Sequence, residues 1–512
     1  MNKHMDKNGF VYLIGAGPGD PGLITVRGLE CIGLADVIIY DYLANKGLLE
    51  HARQGAELVY AGKVGGAHNR EQSQVNGMLV EKALQGKIVA RLKGGDPFIF
   101  GRGGEECEAL FAAGIAFEIV PGVTAGIGAS AYAGIPLTHR DYTTSVAFVT
   151  GHESPGKEVS GIDWERLSVG SGTLVFYMGM KNLPQIAANL IAHGRAPETP
   201  VALIRWGTRP EQEVLDGTLA DIGDKARKSG FKAPAITVVG EVVRLRQRLR
   251  WFDCRPLFGK GIMVTRAAGQ AGPFARLLGE RGARVYQCPT IEIMPPESFE
   301  DLDREIRSLA GFDWVIFTSA NGAGFFFDRL EALGLDSRAL GCCRVAAVGP
   351  KTAEKLASYG IRPDLLPSGY HAEGLLEAFG GMPVGGKRAL YPKGERARDL
   401  IALGLGTLGM RVSAPVSYRT VTPDALPVEI LDVLEERRIN CAAFTSSSTV
   451  SNLASIVGEN RLLHLLEGVA VASIGPITSA ACRDIGLPVA VEPPVATVEA
   501  LADAIVRHFA AP

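Results

Sequence analysis

The sequence predicts an α/β protein of two domains, and three observations predict it. Residues 11–28 run from apolar positions through a glycine-proline loop into a helix-compatible segment, which is the order strand, tight turn, helix. The 512 residues exceed what one ordinary core accommodates and suit two domains of about 250 each. The second half repeats itself: Phe317-Thr-Ser-Ala-Asn-Gly is answered 127 residues on by Phe444-Thr-Ser-Ser-Ser-Thr, and Val348-Gly-Pro-Lys-Thr 126 residues on by Ile474-Gly-Pro-Ile-Thr. Two copies at that period argue for a bilobal domain rather than a solenoid.

In the first half, the opening loop carries Gly15, Gly17, Gly19 and Gly22 with Pro18 and Pro21 between them. It begins a G-x-G-x-x-G match, but the third glycine is replaced by Asp20, where a pyrophosphate would need bare backbone N–H groups. The loop therefore suits a less anionic nucleotide-like ligand, with a helix cap as the plainer use of Asp20. A helix over 23–34 and a strand over 36–41 complete a β-α-β unit, placing Asp41 at a carboxyl strand end, where parallel sheets bind ligands. A turn carboxylate is the equal alternative. Residues 58–63 read as a strand ending in Lys63. The strand 88–92 enters a second glycine loop with Gly94, Gly95 and Asp96, whose carboxylate can accept hydrogen bonds from a ligand. A third such loop follows, the strand from Phe117 leading through Pro121-Gly122 to a small-residue helix starting at Thr124, where packing alone explains Gly126 and Gly128. Segments beginning at 146, 173, 200 and 235 supply further strands.

Composition narrows the function classes. A net charge of −2 offers no global attraction to nucleic acid or anionic membrane, so anionic ligands must be met locally. The eight cysteines show no metal-ligand spacing, and neither a signal core nor a membrane-spanning run is present; free thiols, no metal and a cytoplasmic location are expected. The arginine-rich run over 243–250, followed by a Pro/Gly break, reads as a solvated linker rather than a nucleic-acid contact. In the second half each copy has a Thr-Ser strand end and a Gly-Pro-x-Thr turn entering a helix, which together offer hydroxyls and N–H groups to anions. Helix capping suffices for any one of them.

Five segments of the first half, in order, closely resemble the tetrapyrrole methylase family and its uroporphyrinogen-III C-methyltransferase branch, over 9–245. They are Gly15-Ala-Gly-Pro-Gly-Asp20, Arg91-Leu-Lys-Gly-Gly-Asp-Pro-Phe-Ile-Phe-Gly-Arg102, Val120-Pro-Gly-Val-Thr-Ala125, Ile135-Pro-Leu-Thr-His-Arg140 and Phe176-Tyr-Met-Gly179. The resemblance implies two α/β lobes and S-adenosylmethionine as methyl donor, released as S-adenosylhomocysteine. It implies cofactor contacts at Pro18, Gly94, Gly95, Asp96, Ile99, Thr124, Ala125, Met178 and Gly207, and acid/base roles for Asp41 and Lys63. A sulfonium welcomes carboxylates, which accounts for Asp20 and Asp96. Arg102 and Arg140 would face the eight carboxylates of a uroporphyrinogen, whereas Arg27 reads as surface charge.

The repeated segments, with Met263-Val-Thr-Arg266, Pro289-Thr-Ile-Glu-Ile293 and Val416-Ser-Tyr-Arg-Thr-Val421, resemble the uroporphyrinogen-III synthase family over 259–510. That implies two lobes joined by a ladder near 290 and 418, each copy's first strand and helix packing in the other's lobe. It also implies a cofactor-free cyclisation of hydroxymethylbilane, helped by Tyr418 with Thr318, Ser319, Ser446, Ser448 and Thr478 on carboxylates. A buried ladder tyrosine is the alternative for Tyr418. With 246–258 as linker, the expectation is a bifunctional enzyme that makes uroporphyrinogen III and methylates it at C2 and C7 to precorrin-2, on the way to siroheme or cobalamin. Its partners would be small tetrapyrroles, with a homodimer through the first domain. Competing readings are a methylase of RNA or protein with a tetrapyrrole-binding second half, and an NAD-dependent oxidoreductase.

Overall fold

A computed structural model describes residues 9–62, 72–152, 161–265, 268–397 and 399–510. The chain divides into two compact units, one reaching to Lys260 and including Gly279–Arg284, the other comprising Gly261–Leu278 and Val285–Pro512.

The first unit has two sheets. Strands β1 (Phe10–Gly15), β2 (Val37–Tyr40), β3 (Glu57–Tyr60), β4 (Ile88–Lys93) and β5 (Ala116–Val120) run parallel in the order β3-β2-β4-β1-β5. β1 lies between β4 and β5, so the loops that follow these three strands meet at one carboxyl edge. Gly17 and Gly95 bridge the first two loops, the Gly95 N–H reaching the Gly17 carbonyl at 2.7 Å. The expected helix over 23–34 is split. Asp20 caps a 3₁₀ turn, Pro21–Leu23, and the α-helix begins afresh at Val26 because Thr25 is extended and its hydroxyl accepts the Gly28 N–H at 3.0 Å.

The second sheet comprises β6 (Val146–Thr150), β7 (Thr173–Tyr177), β8 (Pro200–Arg205), β9 (Glu213–Thr218) and β10 (Ala235–Val239), in the order β6-β7-β10-β8-β9. Only β6 and β7 pair in parallel. β9 escaped the sequence reading because it is an edge strand with no buried position and with Asp216 and Gly217 in its length, so it lacks the apolar alternation that marks a strand.

The segment 246–258 departs from the solvated linker expected. Arg246 is buried, donates to the Ala133 carbonyl at 2.6 Å and pairs with Asp253. The Trp251 indole donates to the Ala131 carbonyl, and Phe252, also buried, packs on the Tyr132 ring. Alternating arginine and apolar positions here follow a packed surface, a pattern that composition cannot distinguish from a tether.

Among its described residues the second unit holds twelve strands: β11 (Gly261–Val264), β12 (Arg284–Gln287), β13 (Glu292–Met294), β14 (Trp314–Phe317), β15 (Arg344–Ala347), β16 (Arg388–Leu390), β17 (Lys393–Gly394), β18 (Arg411–Ser413), β19 (Val416–Val421), β20 (Cys441–Phe444), β21 (Ala470–Ser473) and β22 (Val489–Val491). One sheet is ordered β12-β11-β20-β21-β22 and another β15-β14-β16-β18. The first strand of the chain's first copy thus sits among strands of the second, and β16 and β18 of the second copy sit among those of the first. Side chains follow: Met263 shares a buried cluster with Phe444, Leu453 and Val471, while Leu390 joins Val315, Phe317 and Phe326. Between the sheets β13 and β19 pair antiparallel, Glu292 opposite Val421, and β17 joins β19. Both the exchange and the ladder were expected.

Candidate functional site

A cavity of about 510 Å³ lies in the first unit, within the range of small-molecule sites. The loops after β1, β4 and β5 wall one side; Tyr177, Met178, Trp206, Gly207 and Pro234–Ile236, from the second sheet, wall the other. Of the nine residues expected to touch a cofactor, eight line it: Pro18, Gly94, Gly95, Ile99, Thr124, Ala125, Met178 and Gly207. The glycines are there for close approach. A Cβ on Gly122 would lie 2.4 Å from the Gly95 carbonyl oxygen, and one on Gly207 2.2 Å from the Ala129 Cβ. Gly95 has φ +71°, a left-handed conformation that glycine adopts without strain. Gly126 and Gly128 are tight for packing reasons, against Tyr177 and Pro18.

The walls are tied together by hydrogen bonds. The Tyr177 hydroxyl lies 2.8 Å from Thr124 Oγ1 and accepts the Gly126 N–H at 2.8 Å, which fastens the second sheet to the helix after β5. Burial pushes its pKa above the ordinary phenol value, against the effect of those two bonds. Five non-glycine residues with left-handed backbone cluster here: Phe100, Arg102, Met178 and Trp206 in the lining, and Thr208 beside it. Such conformations persist only where their surroundings over-determine them, and they concentrate at binding sites.

Charge is organised around Glu106, which is fully buried. Its Oε1 accepts from Lys93 Nζ at 2.8 Å, Arg91 Nε at 3.2 Å and Gln72 Nε2 at 3.2 Å. Arg91 then reaches Asp41 Oδ2 at 3.1 Å, and Asp41, Arg91, Lys93 and Gln72 all line the cavity. Burial, reinforced by Arg91, pulls the Lys93 pKa below the ordinary ammonium value, and Glu106 opposes this. Arg102 is at the lining and is held by Glu105 at 2.6 Å. Arg140 is exposed and away from the cavity. Lys63 lies outside the described residues. Arg27, on the surface, pairs with Glu118 and Glu30.

Both acidic residues expected to attend a sulfonium are placed otherwise. Asp20 caps the Gly22 N–H at 2.8 Å and accepts the Tyr132 hydroxyl at 2.8 Å; Asp96 accepts the N–H groups of Phe98, Ile99 and Gly122. Neither lines the cavity. They shape the loops that do, because a carboxylate satisfies several turn N–H groups at once. The sequence reading also passed over Arg91, Lys93, Glu106, Tyr177, Trp206 and Arg209. A signal existed for the first two: alternate positions of a strand share a face, and two cations on one face of an inner strand require a buried counter-charge.

In the second unit, Ser319 caps the helix Ala320–Ala332 by accepting the Gly322 N–H at 2.9 Å, and its Oγ lies 3.1 Å from the Tyr418 hydroxyl. Tyr418, half-buried on β19, stacks on Phe325 and faces Gly394, where a Cβ would come within 2.8 Å of the phenol ring. Thr318 Oγ1 is 3.3 Å from the hydroxyl of Tyr391, whose pKa burial raises. In the second copy Ser446 is the equivalent of Ser319 and caps the helix Ser447–Val457, and Ser448 lies 3.0 Å from it. Thr478 is buried in the helix Pro476–Asp484 and presents almost no surface to a ligand, so the hydroxyls open to one in that copy are Ser446 and Ser448.

Fold and site together define a class, a protein of two α/β units whose first carries a glycine-framed cavity of small-molecule size. Known proteins agree. The family described as tetrapyrrole (corrin/porphyrin) methylases matches residues 11–223, and uroporphyrinogen-III synthase HemD matches 272–503. A porphyrin biosynthesis protein HemD of Ruminiclostridium josui is 36% identical across 94% of this chain and 94% of its own length. A uroporphyrinogen-III C-methyltransferase of Bacillus subtilis is 42% identical over 70% of this chain and 74% of its own. An S-adenosyl-L-methionine-dependent uroporphyrinogen III methyltransferase of Methanosarcina barkeri is 53% identical over 47% of this chain and 94% of its own. The chain belongs to the tetrapyrrole methylases in its first unit and to the uroporphyrinogen-III synthases in its second. It is a bifunctional enzyme of tetrapyrrole biosynthesis.

Proposed function

We propose that the second unit closes hydroxymethylbilane to uroporphyrinogen III and that the first methylates this product at C2 and C7, giving precorrin-2. The observation that carries the reading is the single cavity that gathers eight expected cofactor positions with Asp41. S-adenosylmethionine fits that cavity by its size and its glycine-lined wall, and when bound it supplies an electrophilic methyl group. Gly94 and Gly95 would lie against it with Thr124 and Ala125, while Ile99, Phe100 and Met178 would offer it apolar contact. The acceptor carbon gains a methyl and the macrocycle must lose a proton. In this reading Asp41, which Arg91 contacts, takes that proton, and Lys63 shares the acid/base work.

In the second unit the Tyr418 hydroxyl donates to the departing hydroxyl of the bilane, which leaves as water while the last pyrrole inverts and the ring closes. Ser319, Thr318, Ser446 and Ser448 hold carboxylates. Incubating the whole protein with hydroxymethylbilane, with and without S-adenosylmethionine, tests both steps. Uroporphyrinogen III is expected without the donor and a dimethylated product with it. Accumulation of neither sinks the reading.

A further inference from the structure

Four cations among the described residues line the cavity, and three of them are neutralised by the protein itself. Arg91 has Asp41 and Glu106, Lys93 has Glu106, and Arg102 has Glu105. The fourth is Arg209. Its Nη2 donates to the Leu43 carbonyl at 3.0 Å, its Nε is buried without a partner, and Glu211 supplies attraction but no hydrogen bond. Burial lowers its pKa from the ordinary guanidinium value, as expected of a cation stripped of water and not fully repaid by an anion.

The guanidinium is nevertheless held firmly in place. Its carbon lies 4.7 Å from the centre of the Trp206 ring, and that ring meets Tyr42 edge-on at 5.7 Å. The turn that carries both residues is pinned from three directions: the Asp20 N–H donates to Thr208 Oγ1, the Thr208 N–H donates to Gln212 Oε1, and the Gln212 side chain donates to the Tyr132 carbonyl. Trp206 and Thr208 both take left-handed backbone there, at φ +49° and +71°. A strained, braced turn that presents one uncompensated arginine to a cavity is preorganised for a planar anion, since a guanidinium fork matches a carboxylate in two parallel hydrogen bonds.

We propose that Arg209, seated on Trp206, binds a carboxylate side chain of the tetrapyrrole and thereby selects the more highly carboxylated acceptor. The position favours the acceptor over the cofactor's amino-acid end, because Tyr42 and Leu43, which brace Trp206 and Arg209, directly follow Asp41, the group assigned to the macrocycle's proton. This inference rests on the methylase reading given above.

The test uses the full chain, with uroporphyrinogen III (eight carboxylates) and coproporphyrinogen III (four) as acceptors and S-adenosylhomocysteine affinity measured by calorimetry. Arg209→Met is expected to raise KM for uroporphyrinogen III roughly 10- to 100-fold, the loss of a charged hydrogen-bonded contact, with kcat and S-adenosylhomocysteine affinity unchanged. It should also narrow the preference for uroporphyrinogen III over coproporphyrinogen III, and Arg209→Lys should restore part of both effects. An unchanged KM overturns the proposal. So does a parallel fall in S-adenosylhomocysteine affinity, which would place Arg209 on the cofactor or on the Leu43 loop. If Arg209→Met does not fold, Arg209→Gln carries the same comparison. A wild-type protein that binds S-adenosylhomocysteine but methylates neither acceptor removes the methylase reading itself, and this inference with it.

Discussion

The two units solve opposite problems, and their sites differ accordingly. In the first, a hydrogen-bonded chain of charges runs from Asp41, part-exposed at the cavity wall, through Arg91 to the fully buried Glu106, which also holds Lys93. In the second, the candidate groups are hydroxyls at helix starts in two copies of one unit, most of them already serving as caps. A displacement at carbon needs its reactants aligned before they react, so a rigid frame is worth its desolvation. On the reading proposed above, the second unit's cyclisation is mostly a rearrangement of the substrate's own chain and needs anchors and one proton donor, the parts assigned to the caps and Tyr418.

This contrast can be broken in a definite order. Asp41→Asn should lower methyl transfer at saturating donor by roughly 10²- to 10⁴-fold while S-adenosylhomocysteine binding is kept; unchanged turnover in a single-turnover assay removes Asp41 from the acid/base role. Next comes Glu106→Ala, which strands Arg91 and Lys93 in the interior and should reduce stability in urea by about 3–5 kcal/mol. A loss below 1 kcal/mol would mean that the buried charges do not form the frame described. In the second unit the effects should be smaller. Tyr418→Phe is expected to slow cyclisation about 10-fold without abolishing it, the worth of one hydrogen bond, as followed by uroporphyrinogen III formation; complete loss would make Tyr418 the centre of the reaction rather than an aid to it. Smallest of all, Ser446→Ala should cost about 1 kcal/mol of stability, the value of a helix cap, and should weaken binding of the bilane only modestly.

Much of the site was legible because its demands are local. Tight approach needs glycine whatever the fold around it, so Gly94 and Gly95 stood out as letters, and the three loops could be assigned to one sheet edge from the β-α-β order alone; Gly207 came only with the family resemblance. Residues that act across distance were harder to see. Tyr177 clamps Thr124 from 53 positions away, and Arg209 is set against Leu43 from 166 away. No spacing rule links such pairs.

What the sequence determined by itself was the α/β class, the duplication behind residue 259 and the loops that frame the cleft, because each rests on periodicity, repetition or the steric needs of a single residue. The tertiary structure alone decided which side chains are spent on holding the protein together. Asp96 read as a ligand group and is a loop fastener, and for Asp20, which the sequence left between ligand group and cap, the fold chose the cap. The arginine run read as a tether, and Arg246 within it is a buried anchor. Arg209 read as nothing in particular, and among the described residues it is the cavity cation with no carboxylate paired to it. The physical reason is the same in each case: a polar group's role depends on which partners reach it once the chain is folded, and those partners come from elements far away in sequence.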